Sequence, residues 1–230
     1  MQNHTTDPPV MTRRPGCERC LRPQSACICP WVTPISSEVE VVILQHPLEV
    51  PHAKGSARLL HLCLEESQLY IGEVFDENWL LTILQAGDRH NVLLYPETPQ
   101  EASSGMETAP LLDPVILAQP RLLRLIVLDG TWRKSRKMLY QNRLLQTLPR
   151  VTLRDTGESQ YRIRKAHKPD QLSTLEATCY ALMQLEKSDE SEQRYVILLT
   201  AFEQFIAQQE AIQTMYQKGR VKRFKKTSAP

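Results

Sequence analysis

Apolar residues in this chain come in short blocks, and the blocks are of two kinds. Val39 to Leu44, Asn91 to Tyr95 and Leu122 to Leu128 are compact runs rich in Val, Ile and Leu. A strand with one wet face alternates apolar with polar, whereas a strand covered on both faces reads as a run, so these three predict buried strands of a parallel sheet. Leu69 to Ile71 and Val151 to Leu153 predict two shorter strands. Between them the spacing becomes helical. Gly55 to Glu66 carries Ala57, Leu60 and Leu64 on one face, Asn78 to Gln85 reads as a helix closed by Gly87, and a cationic helix follows Thr131. Two further helices span Ser173 to Glu186 and Glu192 to Gln217. Strands alternating with helices predict an α/β fold with a mostly parallel sheet. The expected organisation is a loose polar arm over 1–13, a cysteine knuckle over 14–35, and the α/β body over 36–217. A Pro-, Ser- and Glu-rich loop insertion lies near 97–120, and a basic tail over 218–230.

The knuckle changes the picture from fold to chemistry. Cys17, Cys20, Cys27 and Cys29 form a C-x2-C-x6-C-x-C run. Four thiolates on short loops match the soft, tetrahedral preference of zinc, and a closed sulfur shell makes such a metal structural. Folding on zinc binding is worth about 10–16 kcal/mol in small sites of this type. The alternative, a disulfide pair in a secreted protein, finds no signal-peptide run in the first thirty residues. Cys63 and Cys179 fall in apolar helical patterns, as reduced thiols do. No segment has the length and apolarity of a membrane span, and the expected setting is the cytoplasm.

With 230 residues, 41% hydrophobic, and a net charge of +2, the chain is nearly neutral, but its cations are clustered. Arg133, Lys134, Arg136 and Lys137 open one helix without acids at the spacing for intrahelical pairs. Tyr161 to Pro169 holds Arg162, Arg164 and Lys165, and the tail from Lys218 to Lys226 includes Lys222 and Arg223. Localised positive charge points to a polyanion such as RNA, with cations on phosphates and Tyr161 available to stack on a base. A solvated helix face and an exposed loop are the plainer readings of the first two clusters.

Asp129 ends the clearest strand, and Gly130 and Thr131 turn the chain into the basic helix, with Thr131 placed as its N-cap. Ligands of parallel α/β sheets sit beyond the carboxyl ends of strands, so Asp129 is expected to face a crevice, either as a proton acceptor or as a turn cap. Gln45-His46-Pro47 ends the first strand; His46 reads either as a ligand contact or as a hydrogen-bonded strand terminus. Ser173, Thr174 and Glu176 open a helix, where they can cap it or hold the ends of a zwitterion.

Asp129-Gly130-Thr131-Trp132 resembles the D-x-T-W signature of the DTW-domain family. The Cys knuckle, Gln45-His46-Pro47 with Glu49, Trp132 to Lys137, Tyr161 to Lys165 and Leu172 to Glu176 follow in that family's order. The chain looks like a bacterial tRNA-uridine aminocarboxypropyltransferase. The resemblance implies a SPOUT-like sheet with a trefoil knot. It also implies transfer of the 3-amino-3-carboxypropyl group of S-adenosylmethionine to N3 of a uridine, in the variable loop in bacteria, releasing methylthioadenosine. On this reading Asp129, Thr131 and Trp132 form the catalytic centre, with Asp129 as base and Trp132 anchoring the helix in the core. Leu128, Gly130, His46, Ser173, Thr174 and Glu176 line the donor cleft. Arg133, Arg136, Arg162, Arg164, Lys165, Lys222 and Arg223 contact tRNA, and the protein acts as a monomer or weak oligomer. A SPOUT-like RNA methyltransferase and a non-catalytic, zinc-stabilised RNA-binding module are the alternatives.

Overall fold

A computed structural model of the protein describes residues 15–96, 110–111, 113–153 and 172–227, with side chains to residue 217. Its strands are β1 (Glu40–Gln45), β2 (Ser67–Ile71), β3 (His90–Leu94), β4 (Leu123–Asp129) and β5 (Arg150–Val151). They form one sheet in the order β2-β1-β4-β3-β5. Every pairing is parallel, so among the described residues the sheet is wholly rather than mostly parallel. The described helices are α1 (Ala57–Cys63), α2 (Glu77–Gln85), α3 (Pro114–Leu117), α4 (Trp132–Gln141), α5 (Arg143–Gln146), α6 (Thr174–Glu186) and α7 (Asp189–Thr227).

The runs of apolar residues have the cause expected of them. In β1, Val41 and Ile43 face one core while Val42 and Leu44 face the other; in β4, Leu125 and Val127 oppose Ile126 and Leu128 in the same way. Helices α1, α6 and α7 complete the first core, and α2, α4 and α5 the second. Arg124, the cation inside the β4 run, is 3% exposed because its guanidinium meets Glu40 at 3.1 Å and donates to the Ile83 carbonyl at 2.8 Å. Cys63 and Cys179 are buried free thiols in the first core.

Helix boundaries differ at two places. The first helix stops at Cys63 rather than Glu66, because the chain turns extended at Leu64 and begins β2 at Ser67. The last helix runs past Gln217 to Thr227, so the basic stretch from Lys218 continues it. Most of the expected insertion, residues 97–109 and 112, lies outside the described residues.

The cysteine knuckle rests on the body through named contacts. Cys20 and Ile28 are buried in the first core. Trp31 Nε1 donates to Gln208 Oε1 at 3.2 Å, and Gln208 Nε2 donates back to the Cys27 carbonyl at 3.3 Å. Arg22 reaches the loop after β1, donating to the carbonyls of Ala53 at 2.6 Å and Gly55 at 2.9 Å, with its guanidinium 4.9 Å from the Phe205 ring centre. Hydrogen bonds made by a charged donor are each worth about 1.5–3 kcal/mol. Arg22→Ala should therefore lower stability in urea unfolding by about 2 kcal/mol, and Arg22→Lys should recover less than half, since an ammonium does not reproduce the planar fork.

Candidate functional site

Because all five strands run the same way, their carboxyl ends share one edge, and β1 and β4 lie side by side there with Gln45 opposite Asp129. The chain leaves β1 toward β2 on one side, while β3 flanks β4 on the other, so the two strand ends mark a switch in strand order. Asp129 sits at that point. Gln45 Nε2 donates to its Oδ2 at 2.7 Å, and Thr174 Oγ1 donates to its Oδ1 at 2.5 Å. The His46 amide donates to the Asp129 carbonyl at 2.9 Å. The side chain is 5% exposed, so the open crevice expected in front of it is closed over by Gln45 and Thr174. Burial raises the Asp129 pKa, and the bonds from Thr174 and Gln45 offset part of that rise.

The structure brings His46, Asp129, Gly130 and Thr174 into one cluster, with Leu128 buried behind them. A Cβ on Gly130 would lie 3.1 Å from Lys134 Cβ, which is tight for any side chain, and in ordinary contact with His46 Cβ at 3.7 Å. His46 is buried, and its Nδ1 accepts from the Leu48 amide at 3.1 Å. That bond assigns the ring proton of neutral His46 to Nε2, which lies 3.4 Å from Glu73 Oε1. The same oxygen is 2.7 Å from Lys137 Nζ, and this bond is the main reason the Glu73 pKa is lowered.

Several residues differ from expectation. Thr131 occupies the N-cap position of α4, where its carbonyl accepts the first bond of the helix from the Ser135 amide at 2.8 Å, yet its side chain makes no capping bond. Ser173 and Glu176 form a reciprocal capping box at the start of α6, with Ser173 Oγ accepting at 3.2 Å and Glu176 Oε2 accepting at 2.8 Å. Their side chains thus hold the helix start, and the adjacent Thr174 reaches Asp129. Trp132 does not anchor α4 in the core: it is 51% exposed, with its ring edge-on to Tyr95. Two of the four helix cations are neutralised from other elements, Lys134 by Glu49 at 2.8 Å and Lys137 by Glu73 at 2.7 Å, while Arg133 and Arg136 are exposed. Arg162, Arg164 and Lys165 lie outside the described residues, as do the side chains of Lys222 and Arg223.

Sequence reasoning missed the partners. Ser56 Oγ, buried, accepts from the Leu175 amide at 3.2 Å and so positions α6. Gln45 and Glu73 were legible as polar residues at or just past strand ends of a parallel sheet, but their pairings depend on strand order, which the sequence does not display.

At the knuckle, one Sγ from each of Cys17, Cys20, Cys27 and Cys29 lies within 4.8 Å of the others. Cys17 and Cys29 are 3.6 Å apart, and Cys20 and Cys27 are 3.7 Å apart. A tetrahedron of sulfurs around zinc has edges of about 3.8 Å, so the cluster fits a metal ion. Crowding splits the thiol acidities: hydrogen bonds from Cys20 lower Cys17 to about 6, while burial and neighbouring thiols push Cys29 up to about 12.

The raised Asp129 pKa has a thermodynamic consequence. A carboxyl whose folded pKa exceeds its ordinary value near 3.8 destabilises the fold when ionised. Stability is therefore lost as pH rises from about 4 through the raised value, and the loss is complete above it. The melting temperature of Asp129→Asn minus that of the wild type should grow with pH across this window and then level off. A flat or falling difference contradicts the burial argument.

The DTW domain profile matches residues 14–210. The chain is 33% identical over 184 residues to tRNA-uridine aminocarboxypropyltransferase 2 of Macaca fascicularis, covering 77% of this chain and 58% of that protein. The Drosophila melanogaster protein of the same name is 32% identical over 198 residues, covering 84% of this chain and 74% of its own. The Arabidopsis thaliana tRNA-uridine aminocarboxypropyltransferase A is 29% identical over 157 residues, covering 63% and 55%. The chain thus spans little more than half the length of the macaque and plant relatives. No solved structure matches it at a significant level. The ordered motifs, the sheet they build and the profile match together place this chain in the DTW domain family.

Proposed function

We propose that this chain transfers the 3-amino-3-carboxypropyl group of S-adenosylmethionine to N3 of a tRNA uridine. Membership of the DTW family and the names of its relatives support the transferase reading. The observation that carries it to a site is Asp129, a buried carboxylate of raised pKa at the switch in strand order, beside a basic helix. The co-substrate supplies an electrophilic carbon on a sulfonium, and breaking that C–S bond leaves neutral methylthioadenosine. Uridine N3 attacks well only without its proton. Asp129 takes that proton, and a carboxyl shifted toward neutrality is the better base at cellular pH. Each oxygen retains an acceptor site beyond the one used by Gln45 or Thr174, so the nucleobase edge reaches Asp129 by displacing Thr174 or by joining it.

The remaining residues have supporting roles in this reading. The backbone from Leu128 to Thr131, with His46 and Thr174, lines the donor cleft, and the Ser173–Glu176 box fixes Thr174. Arg133 and Arg136 take phosphates, joined by Arg162, Arg164 and Lys165 on the strength of the motif resemblance and by Lys222 and Arg223 on the charge of the basic tail. The parallel sheet of the described residues supports the SPOUT relation, and the trefoil knot rests on the motif resemblance alone. The bacterial branch and the variable-loop acceptor rest on the motifs. A closed shell of four sulfurs favours zinc over catalytic metals, and free thiols throughout the described chain favour the reducing cytoplasm. No described helix is long and apolar enough to cross a membrane.

Incubating the protein with S-adenosylmethionine and an unmodified tRNA transcript should yield methylthioadenosine and aminocarboxypropyl-uridine by mass spectrometry. S-adenosylhomocysteine as the by-product would instead indicate methyl transfer, and no turnover with retained RNA affinity would leave a binding module. Asp129→Ala should keep tRNA binding and lose roughly 10²- to 10⁴-fold in rate, the usual worth of a general base. Chelation should release one zinc ion per chain and open the knuckle to protease, with a lowered melting temperature; unchanged protection would remove the metal from the fold.

A further inference from the structure

Helix α7 is longer than the body needs. It begins at the amino edge of the sheet, where Arg194 Nη1 donates to the Ser36 carbonyl at 3.0 Å. There Tyr195 Oη donates at 2.7 Å to Glu186 Oε1, which also accepts from the Glu38 amide just before β1. It reaches the carboxyl edge at Phe205, whose ring lies 4.9 Å from the Arg22 guanidinium, and at Glu210, which pairs with Lys54 of the loop after β1 at 3.1 Å. Gln209 is its last buried residue among those with described side chains, and Met215 and Tyr216 are 73% and 58% exposed. The helix nevertheless continues to Thr227. At 1.5 Å per residue, the stretch from Ala211 to Thr227 extends about 25 Å beyond the edge that holds Asp129. Its exit point is close to the site. Lys54 lies two positions before Ser56, whose hydroxyl accepts from the Leu175 amide at the start of the helix that gives Thr174 to Asp129.

Such an overhang has no core to hold it, and its sequence works against a free helix. Glu210 is the last acid in this sequence, and Lys218, Arg220, Lys222, Arg223, Lys225 and Lys226 follow it. Lys222 stands four positions from both Lys218 and Lys226, the spacing at which like charges repel on a helix. Cations suit the negative end of a helix dipole, but that effect fades within the last turn. A polyanion relieves the repulsion along the whole stretch. From this course we infer that the overhanging part of α7 is an arm for a duplex stem of the RNA, and that it fixes the distance between that stem and the uridine brought to Asp129. The inference rests on the transferase reading for the uridine and deepens it by naming what is selected around that base; the stem contact needs only charge and shape. Duplex RNA is recognised through its phosphates and shape rather than its bases. A straight helix bearing cations suits a polymer whose phosphates are themselves held in rows, whereas a single strand bends to meet cations wherever they lie. An anionic membrane surface is the rival polyanion. It is disfavoured because Val221 and Phe224 are the only apolar residues from Lys218 to Thr227, too few for an interfacial helix to bury. The arm also leaves from the edge that carries Asp129.

The test uses the full chain and separates the helix from its charge. Lys222→Gln with Arg223→Gln removes two cations, whereas Thr214→Pro keeps every cation and breaks the helix where it leaves the body. Thr214→Ala controls for the hydroxyl, which donates to the Glu210 carbonyl at 2.8 Å. Binding is read by fluorescence anisotropy at several salt concentrations, with an unmodified tRNA transcript and with a short single-stranded oligouridine. The glutamine variant should flatten the salt dependence of tRNA binding by about 1 to 2 in slope, since each phosphate contact contributes about 0.9. Thr214→Pro should weaken tRNA about fivefold or more, because the arm must then be ordered on binding, and leave oligouridine within about twofold. Thr214→Ala should bind tRNA as the wild type does. Circular dichroism checks that the proline variant loses helix without a lowered melting temperature. A variant with four alanines inserted after Gln217 covers the case in which it folds poorly: helix and charge are kept, and the basic stretch moves about 6 Å outward. Its kcat on tRNA should fall about tenfold or more with Kd nearly unchanged, since a misplacement of about 1 Å can already cost about 10²-fold. Equal losses on both RNAs, no loss on tRNA for Thr214→Pro, or the same loss for Thr214→Ala would overturn the inference. So would an unchanged salt slope for the glutamine variant or an unchanged kcat for the lengthened arm. Phosphatidylserine vesicles bound as tightly as tRNA, and released by the glutamine substitutions, would assign the arm to a membrane instead. A wild type without product would sink the transferase reading, and anisotropy would still decide the stem contact.

Discussion

Two hydrogen bonds to one buried carboxylate join the ends of β1 and β4 to the first turn of α6. Gln45 and Thr174 each give Asp129 one donor, and the adjacent strand ends are locked further by the His46 amide on the Asp129 carbonyl. A buried ion costs several kcal/mol unless it is paired, and two neutral donors recover part of that, as the direction of the Asp129 pKa shows. A neutral amide at this position would serve the fold as well or better. A buried carboxylate that costs stability at the carboxyl edge of a parallel sheet is what a reactive site is expected to look like.

The rest of the molecule can be followed outward from that carboxylate. Thr174 is presented by a capping box and by the Leu175 amide resting on Ser56. Ser56 follows Gly55, whose carbonyl is held by Arg22 of the cysteine knuckle. The four-cysteine knuckle, remote from Asp129 in sequence, is thus joined to it by a short series of hydrogen bonds and braces the carboxyl edge of the sheet. On the other side, Glu49 and Glu73 take up Lys134 and Lys137, so the net positive face of α4 narrows to Arg133 and Arg136. The cation count on that helix overstates the charge it presents at the surface.

Much of this was legible in the residues. Val39 to Leu44 and Leu122 to Leu128 read as two-faced strands because two-faced burial leaves a run of apolar residues, and C-x2-C-x6-C-x-C read as a metal cluster because sulfur ligands need proximity. Asp129 was visible as a carboxylate at a strand end. What escaped the sequence was long-range. Nothing in Glu49 or Glu73 announces a lysine on α4, since pairs between Glu49 and Lys134 or between Glu73 and Lys137, far apart in the chain, are set by strand order. The enclosure of Asp129 depends on Thr174, 45 positions later. Trp132 was misplaced for a physical reason: apolarity alone predicts burial, and an indole left half exposed with its ring edge-on to Tyr95 looks the same in sequence as one driven into the core.

General-base catalysis by Asp129 requires its carboxylate to meet the reacting edge of the substrate base. A structure of the protein with uridine-containing RNA and a non-reactive donor analogue measures it directly. An Asp129 oxygen should lie within about 3.2 Å of uracil N3, hydrogen-bonding reach for a general base, with Thr174 displaced or sharing that oxygen. A bound base elsewhere on the carboxyl edge, with Gln45 and Thr174 still closed over Asp129, would contradict it.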